Sequence, residues 1–510
     1  MPALGKGLRY YLYFTAAVAG AAVMIVEILG AKMLSPFMGM SHFVWTAQIA
    51  VTLVALACGY YAGGRLADRS QRLAWLYWAL LGAAVYLSLT VLSCEAIAYR
   101  CLDLNLAVGS LLASAILFFI PLALLAMTGP FLVRVITSSV AGVGGNVGRL
   151  TSLSTLGSFA GTLLIGYLAI PLLPNSFTMY VTAGALMLVC AGYFGVFHRR
   201  SVAPLVVILL LVCALGAGLF LRPLPAYRHV IELFSGNSHF GQLRVVDLRE
   251  GSCRYYLNDN LIQNTYDPDT KQSESAFTYL LAGLARAYTT NIHDVLCIGL
   301  GVGIVPMDFA SRGATVEVVE INPAVVPVAE RFFGLQRDKL RITLDDARHY
   351  LNRCSKQYDV VVLDAFLGDS SPSHLLTREA FTAIKKVLRP GGTLVINSFG
   401  DLAPGRDFFT ASLNQTLKAV FPGVRLHDCG NGGTFFVATD RPNPAFAHAP
   451  ELANIHPEAQ RFTDAGFADV VDTLPGHGRV LTDDYNPVEY YDARNREEIR
   501  RRLALWAKDM

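Results

Sequence analysis

Three acidic positions and one glycine-rich turn carry the chemistry open to this chain. Glu320 closes the run TVEVVE, the pair Asp345/Asp346 follows LRITL, and Asp364 closes YDVVVLD. Ahead of all three, the apolar run Val295–Ile298 breaks into Gly299, Gly301 and Gly303. A strand, glycine turn, helix and second strand, with an acid about 20 residues past the turn, is the layout that holds a nucleoside. Glycine lets the backbone approach a ligand closely, and a carboxylate at a strand end can accept both ribose hydroxyls. Asp345/Asp346 stand where they can take an adenine amino group, cap the following helix, or do both. Asp364 faces the region where the reactive end of a bound cofactor would lie. A carboxylate there can bind a cation or accept a proton.

These groups converge only if a parallel sheet brings their strand ends together. Strands at 294–298, 315–320, 340–344, 358–364 and 393–398 alternate with helical segments at 303–311, 323–333, 346–354 and 377–388. That alternation requires right-handed crossovers and places ligands at the carboxyl ends of the strands. Upstream, Gln242–Leu248 and Cys253–Asn258 alternate like paired strands, and Ser273–Tyr288 has helical spacing. A Rossmann-like α/β domain preceded by a small β region is predicted.

Composition adds a second domain. The 510 residues are 53% hydrophobic and 16% charged, with a mean hydropathy of +0.42, too apolar for an ordinary soluble protein. The excess lies in the first 222 residues, where seven stretches are long and apolar enough to span a bilayer: near 10–33, 43–64, 73–94, 106–128, 150–173, 177–197 and 203–221. The first is too long for a cleaved signal and continues into a polytopic array. The expected organisation is a membrane α-helical bundle of about seven spans (1–222), a small β region (223–262) and the α/β domain with a C-terminal extension (263–510). Residues 1–222 carry 12 basic and 4 acidic groups, against 30 basic and 35 acidic in the remainder. The acidic balance of the second half suits a cationic substrate weakly, and no basic patch points to nucleic acid. Nine cysteines without a CxxC or Cys/His cluster argue against a zinc site, although Cys94 and Cys101 flank one short loop and could pair.

Basic residues crowd three loops, at Arg65/Arg69/Arg72, Arg134/Arg149 and Arg199/Arg200. The positive-inside rule puts these, and the N-terminus with Lys6 and Arg9, in the cytoplasm. A seven-span count would then export the α/β domain, whereas a nucleoside is supplied from the cytosol. The expectation adopted is a multi-pass protein of the cell (inner) membrane with its α/β domain in the cytosol. The stretch Gly59–Arg72 resembles a loop of major facilitator transporters. Glu27 lies deep in the first span, either as a functional carboxylate or hydrogen-bonded against a neighbouring helix. The small residues of Gly157–Gly166 mark close helix packing.

As an ordered set, GQLRVVD (Gly241–Asp247), LNDNLIQNTYD, VLCIGLGVG, VVEINPAVV, ITLDDARHYL, YDVVVLDAF and LRPGGTLVIN resemble the spermidine synthases over about 225–440. With LTREAF and LTDDYNPVEYY, the whole chain is similar to a membrane-fused branch of that group. The resemblance implies a methyltransferase-type fold, a homo-oligomer (a dimer) and polyamine aminopropyl transfer. In that reaction decarboxylated S-adenosylmethionine alkylates an amine such as putrescine and leaves methylthioadenosine. It further implies that Gln242 and Glu320 contact the donor above Gly299, Gly301 and Gly303. Asp345, Asp346 and Ala347 would meet its adenine end, and Asp364 would be the catalytic base for the amine. No metal is implied, because a sulfonium is already an activated leaving group.

The chain departs from the family pattern at three places. The usual GGGDG has Val302 in place of its aspartate, the usual Tyr–His pair aligns with Phe277 and Thr278, and DxxDP becomes DAFLGDSSP, which displaces the second acid to Asp369. Asp369 and Asp484 are the expected substitutes for the lost amine contacts. Ordinary S-adenosylmethionine would meet no repulsion at Val302. Methyl or aminocarboxypropyl transfer, or internal breakdown to methylthioadenosine, therefore stays open, as does a transporter with a nucleoside-sensing domain. His349 and His374 read as loop histidines, with His374 able to line the site.

Overall fold

Among the described residues, the apolar runs of the first half form six helices that are long and apolar enough to cross a membrane: α1 (Lys6–Met38), α2 (Phe43–Arg69), α3 (Leu73–Cys101), α4 (Leu106–Ile136), α5 (Val143–Leu172) and α6 (Asn175–Phe197). The structure is a computed structural model that describes residues 5–39, 42–137, 142–198, 208, 211, 230–248, 252–259, 261–366, 372–473, 477–491 and 498. The expected seventh span, 203–221, therefore falls almost entirely outside the described residues. Two compact units divide the chain, Met1–Ala226 and Tyr227–Met510.

Small residues set the helix spacing in the first unit. A Cβ at Gly157 of α5 would collide with the Ala17 carbonyl of α1, and one at Gly161 would lie 2.7 Å from the Ala21 carbonyl. Ser158 uses the same close approach to donate its hydroxyl to Gly20 O at 3.0 Å. Pro121 removes the donor that Leu117 O would otherwise receive within α4, and Thr90 of α3 supplies a hydroxyl to that carbonyl at 3.0 Å. Glu27 is half-buried and makes no hydrogen bond among the described residues, so of its two readings the hydrogen-bonded pairing with a neighbouring helix is not seen there. The suggested Cys94–Cys101 pairing also fails. The helix runs past the assumed loop, so both thiols lie on α3 and are free. Seven helical residues separate their Cα atoms by roughly 10 Å, beyond disulfide reach.

The second unit opens with an antiparallel sheet in sequence order: β1 (Val230–Ser238), β2 (Gly241–Leu248), β3 (Arg254–Asn258), β4 (Leu261–Asp267) and β5 (Gln272–Ser273). This β region extends beyond residue 262, because β4 pairs with β3 and its return strand follows only after a turn. After α7 (Ala276–Tyr288) comes the alternation expected from the sequence. It comprises β6 (Asp294–Ile298), α8 (Ile304–Ser311), β7 (Thr315–Glu320), α9 (Val325–Phe333), β8 (Leu340–Leu344), α10 (Ala347–Arg353), β9 (Tyr358–Leu363), α11 (Arg378–Val387) and β10 (Leu388–Phe399). The chain then adds α12 (Phe408–Lys418), β11 (Gly423–Asp428), β12 (Gly433–Thr439), α13 (Pro457–Ala468) and β13 (Val470–Val471).

The eight strands lie in the order β13-β11-β12-β10-β9-β6-β7-β8, with β8, β7, β6, β9 and β10 mutually parallel. Central strands are buried on both faces, which is why β6 and β9 read as near-continuous apolar runs. At the amino end of these strands, Arg389 pins β6 to β9 by binding Asp294 at 2.6 Å and Asp359 at 2.9 Å. At the carboxyl end the chain leaves β6 toward β7 on one side and returns through β9 on the other. The sheet order reverses there, and such a switch point opens a crevice for ligands.

Replacing Gly157 with valine is expected to lower the stability of the helical unit by about 1–3 kcal/mol, the usual cost of overpacking. Thermal unfolding in detergent measures it. An unchanged midpoint would show that α1 and α5 do not rely on this contact.

Candidate active site

Three acid-bearing strand ends are locked in register by backbone hydrogen bonds. Asp364 N–H donates to Ile298 O at 2.9 Å, Gly299 N–H to Val319 O at 2.9 Å, and Asp345 N–H to Glu320 O at 3.1 Å. The chain turns away from β6 with φ of +98° at Gly299, +53° at Gly301 and +88° at Gly303. A Cβ at Gly299 would run into the Asp364 carbonyl, so this position must be glycine for space as well as for conformation. Gly303 starts α8, and a Cβ there would meet Leu335 at 2.5 Å.

A cavity of about 730 Å³ opens over these strand ends, within the size range of small-ligand sites. One end is built around Glu320, which is 8% exposed. Leu300 N–H donates to Oε2 at 2.9 Å and Asn322 N–H to Oε1 at 2.7 Å. Burial raises the carboxyl above its usual range, and these backbone donors partly offset that rise. The carboxylate still keeps acceptor capacity for a ribose hydroxyl. Glu320 also ties the glycine turn to the loop after β7, a structural task that the spacing alone did not reveal.

Asp346 is the N-cap of α10, accepting from Arg348 N–H at 2.9 Å and His349 N–H at 3.1 Å. Its other oxygen faces His374 Nε2 at 3.1 Å. Asp345 pairs with His349 Nδ1 at 2.7 Å, and that contact with the Asp346 N–H holds its carboxyl below the usual range. Capping and cavity lining therefore coexist: Asp345, Asp346, Ala347 and His374 all line the cavity.

At the other end stands Asp364. Its exposed part faces the cavity, and Asn397 at the end of β10 donates to Oδ1 at 2.9 Å. Surrounding protein pushes the carboxyl up to about 6, with the Asn397 bond partly opposing the shift. Beyond it the wall carries Glu274, whose Oε2 accepts from the Cys253 thiol at 2.8 Å, and Glu458 in the first turn of α13. With Glu320, Asp345, Asp346 and Asp364 this makes six carboxyl groups, and no lysine or arginine lines the cavity among the described residues. Phe277, Phe399, Phe435 and Phe462 supply apolar surface between them.

Several expectations need correction. Gln242 does not line the cavity. Leu243 and Val245 point into the core, so Gln242 lies on the other face of β2 and donates to Ser235 at 3.2 Å; Gln263 of β4 reaches the cavity instead. Asp484 is exposed and outside the cavity, because the adjacent Asp483 anchors that segment to Arg348 at 2.7 Å and Thr377 at 2.6 Å. Asp369 lies outside the described residues. Val302 is 1% exposed and packed in the core. Sequence reasoning missed Asn397, Glu274 and Glu458. Asn397 closes the quoted LRPGGTLVIN run, but the two glutamates had no local signal.

The spermine/spermidine synthase domain family matches residues 274–426. The polyamine aminopropyltransferase of Vibrio vulnificus is 31% identical over 210 residues, covering 39% of this chain and 68% of that protein. The N-terminal histidine N-methyltransferase of Emericella nidulans is 35% identical over 138 residues, 26% of this chain and 24% of that protein. A solved spermidine synthase in complex with the transition state analogue AdoDATO aligns over 47% of this chain and 85% of that one, with 16% identity and a TM-score of 0.38. The chain belongs to the spermidine synthase family of transferases.

Replacing Glu320 with alanine is expected to cost on the order of 2–4 kcal/mol in methylthioadenosine affinity, the loss of two charge-assisted hydrogen bonds. Calorimetry reads it, with circular dichroism as the check on folding. Undiminished affinity would remove Glu320 from the nucleoside site.

Proposed function

We propose that the second unit transfers an aminopropyl group from an adenosyl sulfonium donor of the S-adenosylmethionine type to an amine, with methylthioadenosine as the leaving product. The observation that carries this reading is Asp364, whose backbone packs against the glycine turn at the switch point and whose carboxyl, of raised pKa, lines the cavity. The nucleoside would rest on Glu320, Asp345, Asp346 and Ala347, leaving its sulfonium arm toward Asp364. An amine arrives protonated at neutral pH and cannot attack until it loses that proton. Asp364 first holds the ammonium by charge, orients it in line with the carbon beside sulfur, and then accepts the proton. Its raised pKa matches it better to that transfer than an ordinary aspartate. Asn397 fixes the carboxylate by binding one oxygen and leaves the other toward the cavity. The six carboxyl groups favour two cationic reactants in one chamber, where a basic wall would repel them.

The six apolar helices support a multi-pass membrane protein, with a lipid bilayer as the partner of the first unit. The basic loops mark the cytoplasmic side, and a nucleoside donor is supplied from the cytosol, so a cytosolic transferase is the topology proposed.

Asp364→Asn keeps the shape but cannot take the proton. Turnover is expected to fall roughly 100-fold or more while methylthioadenosine binding persists. In the wild type, kcat/KM should decline as pH falls through about 6, because protonated Asp364 is no longer a base. Product analysis by mass spectrometry with each donor and a set of amines measures both. Near-normal turnover in the variant would assign the chemistry to another group.

A further inference from the structure

Asn264 is one polar residue of this cavity that the proposed reaction leaves without a task. It lies on β4, is 4% exposed, and lines the cavity together with Gly301 and Asp364. A Cβ on Gly301 would sit 3.4 Å from its Oδ1, so the carboxamide stands directly over the glycine turn. It also borders the narrow recess shared by Phe277, Val302 and Asp364. Its side chain makes no hydrogen bond among the described residues. Asn322 and Asn397, on the same wall, are both engaged, with Ser238 at 3.2 Å and with Asp364 at 2.9 Å.

The carboxamide opens onto the cavity, so its donors and acceptor are available to whatever enters. A sulfonium seated beside Asp364 would have Asn264 and the glycine turn within the same part of the cavity to meet its arm. The position inside that turn is occupied by the core side chain Val302, which offers no charge. A carboxamide has one acceptor oxygen and two donor hydrogens. It can therefore accept from an ammonium and donate to a carboxylate, whereas an acidic residue could do only the first.

We propose that Asn264 reads the amino-bearing end of the donor's arm, and that this neutral amide lets the site seat S-adenosylmethionine itself as well as the decarboxylated form. This rests on the cavity being the donor site. With S-adenosylmethionine, the amine nitrogen bonds to the arm carbon next to sulfur and that carbon–sulfur bond breaks. Sulfur keeps the electron pair as methylthioadenosine, the amine proton passes to Asp364, and the group transferred is 3-amino-3-carboxypropyl.

Calorimetry on the full-length protein in detergent, with methylthioadenosine, S-adenosylmethionine and decarboxylated S-adenosylmethionine, tests the assignment. The two donors should bind wild type within about tenfold of each other. Asn264→Asp should weaken S-adenosylmethionine by about tenfold or more while preserving or tightening the decarboxylated donor, because a carboxylate repels the arm's carboxylate. Methylthioadenosine has no such arm, so its affinity should not change. Rejection of S-adenosylmethionine by wild type by about 100-fold or more, or an unaltered donor ratio in Asn264→Asp, would overturn the role of Asn264. Failure of wild type to bind methylthioadenosine would instead overturn the donor-site reading. Should Asn264→Asp lose methylthioadenosine, Asn264→Ala replaces it. That variant should weaken both donors about fivefold or more and spare methylthioadenosine, and undiminished donor affinity would again overturn the role.

Discussion

The Asp364 peptide and the Gly299 turn occupy space that would otherwise hold a side chain, and the carboxylate beside them binds Asn397 and lines the cavity. This contact joins β9 to β6 at the point where the sheet order reverses. Any residue other than glycine at 299 would push the two strand ends apart and displace the carboxylate from the turn. The surroundings raise the Asp364 pKa to about 6, so the folded chain holds that proton more tightly than an unfolded chain would. The corresponding stability is full below the usual aspartate value and is lost as pH rises through about 6. At neutral pH, where the proposed base is ionised, that form is held at a cost in stability.

The other acids of the cavity are kept in place by different means. Glu320 is held by backbone N–H groups, Asp346 by the amino end of α10, and Asp345 and Asp346 by a histidine each. Asp364 has one carboxamide. The end around Glu320, Asp345 and Asp346 is thus the more fully satisfied part of the wall, while the Asp364 end, proposed to meet the amine, has less compensation. That gradient suits a chamber in which a nucleoside is positioned and a cation is deprotonated.

Much of this was legible in the chain because parallel strands write their burial directly into sequence. VLCI, VEVVE and YDVVVLD could only be central strands, and the acids closing the last two had to lie on one edge of the sheet. The glycine turn was equally plain, since three glycines in five residues have few other uses at a strand end. Gln242 was misassigned because a β-strand alternates faces, and one residue of offset turned it away from the cavity that Gln263 enters. Asp484 was misassigned because ion pairing by Asp483 decides where that segment rests, and its partner Arg348 is remote in sequence. Asn264, Glu274, Asn397 and Glu458 reach the cavity from four separate elements. Their convergence is a product of tertiary packing that no local pattern encodes. The helical unit was readable by length and hydropathy, but the glycine contacts between α1 and α5 emerge only in three dimensions.

A structure of the protein with methylthioadenosine bound would test the central claim most directly. The account predicts the ribose on Glu320, adenine beside Asp346 and Ala347, and the thioether sulfur directed toward Asp364 over the Gly299–Gly303 turn. A nucleoside lodged elsewhere, or one whose sulfur points away from Asp364, would contradict the assignment of the switch point as the site of transfer.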